Sequence, residues 1–514
     1  MIHCFFICAT LSFATDLSDK ESWPGWRGPD ALGVGTGSPP TEWSEQKNVR
    51  FKVEIPGNGL SCPVVHGGFV YLTTAVPTGK APPAPENPPE ENQNSNPENP
   101  DSGQDAGSEG RRDGARGFRP GRGGGGGGAG GGGGGFMSRV PPAEQDFIVL
   151  AVSRRDGSIA WKQTLRTATP HEGTHGDGSF ATPTIATDGE HLIVSFGSNG
   201  IFGLTMDGKK VWEKDFGDMS VQGSFGEGSS PVMHSEVVII NWDHEGDSFV
   251  VALDKKTGDE LWRRERPRGT SWTTPLVVEV DAEPQVIVSG TRTVAYALET
   301  GDEIWSFGPS APVDPPATEL QGEEGESSGQ PAEEQRGGRR GRGGRGGRGG
   351  GGGTIASPVA ADGFAYVTGS ERGGGVHAID LEYAEGVLEG EAAFAWSESR
   401  DVPSIPSPIV YQGLLYMLKA NSGMVSAFDA KSGERMYGPT RLSGVSNAYA
   451  SPVAAGGRLY FSSREGTVEV ISAGNELTSL AVNTLDDQFD ASPAIVGDEL
   501  YLRGHKHLYC IAEN

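Results

Sequence analysis

The densest run of chemically capable side chains is HEGTH at residues 171–175. As a pattern it matches HExxH, in which two histidines on one helical face hold zinc and the glutamate activates water. That chemistry needs the helix. Pro170 precedes the run, Gly173 interrupts it and GDGSF follows, so a loop is expected here and a metalloprotease is not. Read as a loop, His171, His175 and Asp177 are candidates for a ligand-binding rim. A second run, NWDHEGD at 241–247, adds Asn241, Asp243, His244, Glu245 and Asp247. Carboxylates and imidazoles converging from two loops could take a divalent cation, oxygen donors favouring calcium and histidines zinc or copper. A solvated polar rim accounts for the same residues.

A third set is rich in hydroxyls: Ser179, Ser229, Ser230, Thr273 and Thr274 beside Trp272, then Ser357, Ser407, Ser451 and Ser492. Arg292, Arg464, His505 and Lys506 could supply positive charge for an anionic ligand. Turn-forming bonds to local backbone explain such hydroxyls equally well. No Ser-His-Asp set or paired carboxylates stand out as catalytic.

What must position these residues is a repeat. A small residue, a proline and an apolar strand recur eight times, at Pro63, Pro183, Pro231, Pro275, Pro358, Pro408, Pro452 and Pro493. Where nothing intervenes, the prolines are 48, 44, 50, 44 and 41 residues apart, the length of one four-stranded blade. Each repeat ends in a hairpin such as ALDKKTGDELW at 252–262, whose Asp and Gly make a tight turn. The closing aromatics Trp161, Trp212, Trp262, Trp305, Trp396 and Tyr437 are expected to wedge between neighbouring blades. The last repeat lacks a fourth strand, and NVRFKVEIPG supplies one, with Phe51 in the place of Trp161. The fold is therefore expected to be all-β, an eight-bladed β-propeller of four-stranded antiparallel blades, with its ring closed by the N-terminal strand.

The boundaries follow: a signal peptide over 1–15, an extension over 16–42, and the propeller over 43–514. Two low-complexity insertions, 77–143 and 309–353, pass from Pro/Glu-rich or Glu-rich to Gly/Arg-rich and are expected to be disordered. In an antiparallel meander both emerge on the same face as the two candidate loops. Of the net charge of −26, each tract carries −1, so the propeller is acidic and nucleic acid is disfavoured as its partner. A Gly/Arg run at 336–348 leaves polyanion binding open as a third reading. Beyond the leader no stretch approaches a membrane span, and a monomer is expected. Without the leader two cysteines remain, Cys62 and Cys510, which ring closure brings into neighbouring blades; a disulfide or two buried thiols would both fit.

The hairpin ALDKKTGDELW resembles the AxDxxTGxxxW signature of the pyrroloquinoline quinone (PQQ) repeat superfamily, and WPGWRGPDALGVG resembles the opening of secreted PQQ-like propellers. The resemblance implies an extracytoplasmic protein of one of two kinds. One is a BamB-like scaffold; the other is a quinoprotein alcohol or sugar dehydrogenase using PQQ and calcium. The dehydrogenases resembled carry adjacent cysteines and often a CxxCH haem site, and this chain has neither. The leading expectation is therefore a binding module for a protein, glycan or small ligand on the loop-rich face, with the dehydrogenase as the alternative.

Overall fold

The computed structural model describes residues 22–80, 139–140, 142–308, 355–369 and 375–513. Within these, eight antiparallel sheets follow one another along the chain. Blade 1 is Val64–His66, Phe69–Pro77, Gln145–Ser153 and Ile159–Ala168. Blade 3, from Val232–His234 to Glu260–Arg266, shows why the pattern folds this way. Its middle strands Val237–Trp242 and Ser248–Asp254 are continuous apolar runs, because neighbouring blades cover both of their faces. Its outer strand is mostly exposed or half-exposed and buries Trp262 and Arg266, because it is covered less than the middle strands.

Ring closure is as expected. Val49–Glu54 pairs antiparallel with His507–Ile511 and completes the eighth blade. The wedge aromatics dock by a shared device. Trp212, Trp262 and Trp396 each donate the indole N–H to a backbone carbonyl of the next blade, that of Lys255, Leu298 and Ala430. Each ring covers that blade's turn glycine, where a methyl group would meet Trp212 at 2.7 Å over Gly258. Trp161 covers Gly208 and Phe51 covers Gly157 in the same way. Trp305 is also buried, but its indole N–H and the Tyr437 hydroxyl have no partner among the described residues.

Four features depart from the sequence pattern. Pro183 is out of register: pairing of Ala186 with Ile193 matches that of Val232 with Ile239, so Thr184, not the proline's neighbour Thr182, stands where Ser230 stands. Blade 4 gains a fifth strand, Gly386–Val387, which runs parallel to Glu303–Phe307 and covers its free edge. Cys62 and Cys510 are two separate buried thiols, not a disulfide. Described residues at both ends of the first tract are also placed in regular structure. Phe69–Pro77 pairs along its length with Gln145–Ser153, Lys80 pairs with Glu144 at 2.8 Å, and Arg139–Val140 pairs with Thr174–His175. The leader, the rest of both tracts and the 336–348 run lie outside the described residues.

The extension before the ring forms a strap across one mouth of the channel. Trp23 pairs with Val65 of blade 1, and Pro24 accepts a bond from Thr187 of blade 2. Arg27, fully buried, then reaches the carbonyls of Pro408 and Pro452 in blades 6 and 7. The segment continues past blade 7, where Gly35 bonds Ala454 and Tyr460 donates to Pro39, and then enters the closing strand.

Candidate functional site

The inner strands begin at a ring of side chains that bond in sequence around the channel. The backbone N–H of Cys62 donates to Thr184 Oγ1 at 2.9 Å, that of Thr184 to Ser230 Oγ at 3.0 Å, and that of Ser230 to Thr274 Oγ1 at 3.2 Å. The N–H groups of Thr274, Ser357, Ser407 and Ser451 donate onward to the hydroxyls of Ser357, Ser407, Ser451 and Ser492, each at 2.9 Å. Ser492 closes the circuit on the Cys62 sulfur with its N–H and its hydroxyl. The proline that follows most of these residues has no N–H to offer, so the small residue before it carries the contact between blades.

Above this ring opens a funnel of about 380 Å³. Its walls come from the connections between blades, and Trp26 of the strap lines its closed end. Trp272 is fixed at the rim by an indole bond of 2.7 Å to the Gly226 carbonyl and by stacking on Phe225 at 6.3 Å. His175 meets Phe225 edge-on at 5.4 Å. Opposite, Arg464 lies 4.0 Å over the Tyr449 ring and donates to Asp490 at 2.7 Å and to Asp177 at 3.1 Å. His505 lies 2.9 Å from the second Asp490 oxygen. The Arg464 bonds hold the Asp177 carboxyl below the usual carboxylate range. Both tracts end at this rim, since Arg139–Val140 pairs beside His175 and Ile355 lines the funnel.

The candidate residues therefore separate. His175, Asp177 and Trp272 share the funnel. HEGTH is no helix; Thr174–His175 is a two-residue strand, and His171 faces the Met219 carbonyl at 2.8 Å. The 241–247 run is mostly loop architecture. His244 is buried and accepts the Ser220 N–H at 3.0 Å, Glu245 holds the Thr270 N–H at 3.0 Å, and Asp247 is on the outside. Asp243 forms a buried bidentate pair with Arg266 at 2.8 and 3.0 Å. Arg292 turns away to Ser306 and Glu303. The histidines and carboxylates do not converge on one ion. Among the described residues, the acids and histidine close enough to do so are Asp188, Glu190 and His191, in a turn on the opposite face, where Lys255 sits 2.9 Å from Asp188.

Sequence reasoning missed Trp26, Tyr449, Asp490 and Glu227. Glu227 is a half-buried carboxyl that lines the funnel and a neighbouring water-sized cavity of about 20 Å³ shared with Ser229 and Asn241. Burial pushes it up to about 7, against the bonds it accepts from Ser198. Nothing periodic marks Glu227. Trp26 did carry a signal, as one of two tryptophans in a segment outside the repeats.

A ring of eight blades around a funnel closed at one end defines a PQQ-like propeller. A family profile described as outer membrane protein assembly factor BamB matches residues 145–313 and again 295–514, and the chain belongs to that family. No curated protein matches the sequence. Among solved structures, quinohemoprotein alcohol dehydrogenase from Comamonas testosteroni is similar at 10% identity and TM-score 0.56, over 97% of this chain and 82% of that one. A europium-containing methanol dehydrogenase is similar at 10% identity and TM-score 0.52, over 95% and 90%. BamB from Moraxella catarrhalis is 14% identical with TM-score 0.46, over 73% and 99%. At such identities the likeness is one of fold. No helix among the described residues is long and apolar enough to cross a membrane.

Proposed function

We propose that this chain is an extracytoplasmic binding module that captures a small ligand, or a protruding group of a protein or glycan, in the funnel. The observation that carries the reading is the state of the funnel's polar groups. Asp177 and Asp490 are held by Arg464, and Trp272 is held by Gly226 and Phe225, so the rim is a rigid recognition surface rather than a poised acid–base pair. Extracytoplasmic placement is supported by the leader-like first fifteen residues and by the resemblance to secreted propellers.

The test pairs binding with turnover. Thermal-shift screening of glycans, peptides and small metabolites against the wild type and Trp272→Ala should give hits that the variant loses while keeping its melting temperature. The same preparations, given PQQ, calcium and a redox dye, should oxidise no alcohol or sugar. Dye reduction that disappears when PQQ or calcium is withdrawn would replace this reading with the dehydrogenase.

A further inference from the structure

The ring beneath the funnel has a property that blade contact alone does not require. Each of the hydroxyls of Thr184, Ser230, Thr274, Ser357, Ser407 and Ser451 accepts a backbone N–H from its neighbour. A hydroxyl that accepts still has its own hydrogen to give. Thr184 gives its hydrogen to the Cys62 sulfur, but none of the other five donates to any acceptor among the described residues, all five are more than nine-tenths buried, and all five line the funnel. The result is five O–H donors lining one cavity with no acceptor among the described residues.

The surrounding charge has the matching sign. Two arginines flank the ring, both fully buried, and among the described residues neither is paired with a carboxylate. Arg27 bonds only the carbonyls of Leu32, Pro408 and Pro452, and Arg503 bonds the Ser61 hydroxyl and the carbonyls of Ser61 and Thr73. The Nε of each has no partner among the described residues. Burial lowers them to about 10 and about 9, so both stay charged at neutral pH, and the one potential anion acting on either is the Cys62 thiol in the ring. Two buried cations without a counter-ion are costly, and an anion in the ring would offset them through a low-dielectric interior.

We propose that the ring of hydroxyls is an oxyanion site, which takes the carboxylate or phosphate end of the funnel's ligand. The inference rests on the funnel being the binding site. The rim acids Asp177 and Asp490, already paired with Arg464, do not compete for the ring.

The experiment titrates the full chain with inorganic phosphate and, separately, acetate, by calorimetry at constant ionic strength, with chloride as control. One or both should give saturable heat where chloride gives none, and which of them binds separates phosphate from carboxylate as the natural group. The variant is Ser407→Cys with Ser451→Cys. A thiol already occupies this station at Cys62, so the ring tolerates it, and S–H is a much weaker donor than O–H. The pair should weaken the oxyanion at least about tenfold while leaving the melting temperature without anion unchanged. Absence of saturable heat from both oxyanions overturns the proposal, and so does binding that the variant leaves intact. Because Trp272→Ala reads the rim alone, ligand capture lost there but insensitive to the ring variant would remove the oxyanion site and leave the funnel standing.

Discussion

Breaking the ion pair between Asp243 and Arg266 should be among the most damaging changes in the molecule, and its cost should depend on pH in one variant but not in the other. Both side chains are 1% exposed, and Arg266 gives Asp243 two bonds, at 2.8 and 3.0 Å. The same guanidinium reaches the Tyr296 hydroxyl and the carbonyls of Val288 and Arg292, so it ties blade 3 to blade 4 beneath the loop that carries Trp272. Asp243→Ala strands a guanidinium that cannot discharge, and the expected loss is about 3–5 kcal/mol at any pH. Arg266→Met strands a carboxylate, which can escape by taking a proton. At pH 7, holding that proton against an ordinary carboxyl value costs roughly 4 kcal/mol, and near pH 5 only about 1.5 kcal/mol. The raised folded value means that this variant is least harmed in acid and loses stability as pH rises. The double variant leaves no charge behind, so a cycle of urea midpoints at pH 7 should give a coupling of about 2–4 kcal/mol. A coupling below about 1 kcal/mol, or an Arg266→Met penalty that is flat between pH 5 and 8, would refute the reasoning.

Three further outcomes are expected. Glu227→Gln should equal the wild type in stability at acid pH and exceed it above neutrality. The wild-type carboxyl sits at about 7 in the fold against an ordinary 4.5, so its burial costs nothing below the lower value and roughly 3 kcal/mol above the higher; urea midpoints across that range check the sign. Gly258→Ala should cost about 3 kcal/mol, because φ is +73° and the new methyl group meets Trp212, whereas Gly67→Ala, at +55° in open space, should cost only about 1 kcal/mol, both read from urea midpoints. Alkylation with mass mapping should leave Cys62 and Cys510 unmodified in the native protein and label both in denaturant without any reductant.

The architecture was legible because each repeat states it again. Eight starts, the D-x-x-T-G turns and the closing aromatics are local signals, and a strand missing at one end with a spare at the other implies closure. Repetition also misled at blade 2, where Pro183 has the right neighbours and the wrong register; pairing with Ile193 set that, not the proline. The candidate loops were legible as loops and not as a site. His175 and Asp177 look no different in sequence from His171 and Asp247, and their fates were decided by contacts made across the ring, such as that of Asp177 with Arg464, 287 residues away.

By itself, then, the sequence determined the all-β class, the blade count, the closing strand and the face on which the tracts emerge, since all of these follow from periodicity and chain order. Only the tertiary structure decided that the extension straps the channel, that Trp26 lines the funnel, that Arg27 and Arg503 are buried without counter-ions among the described residues, and that five hydroxyls without an acceptor there line one space. The physical reason is the same in each case. Burial, pairing and convergence are properties of what surrounds a side chain, and in a ring most of those surroundings come from blades far away in the chain.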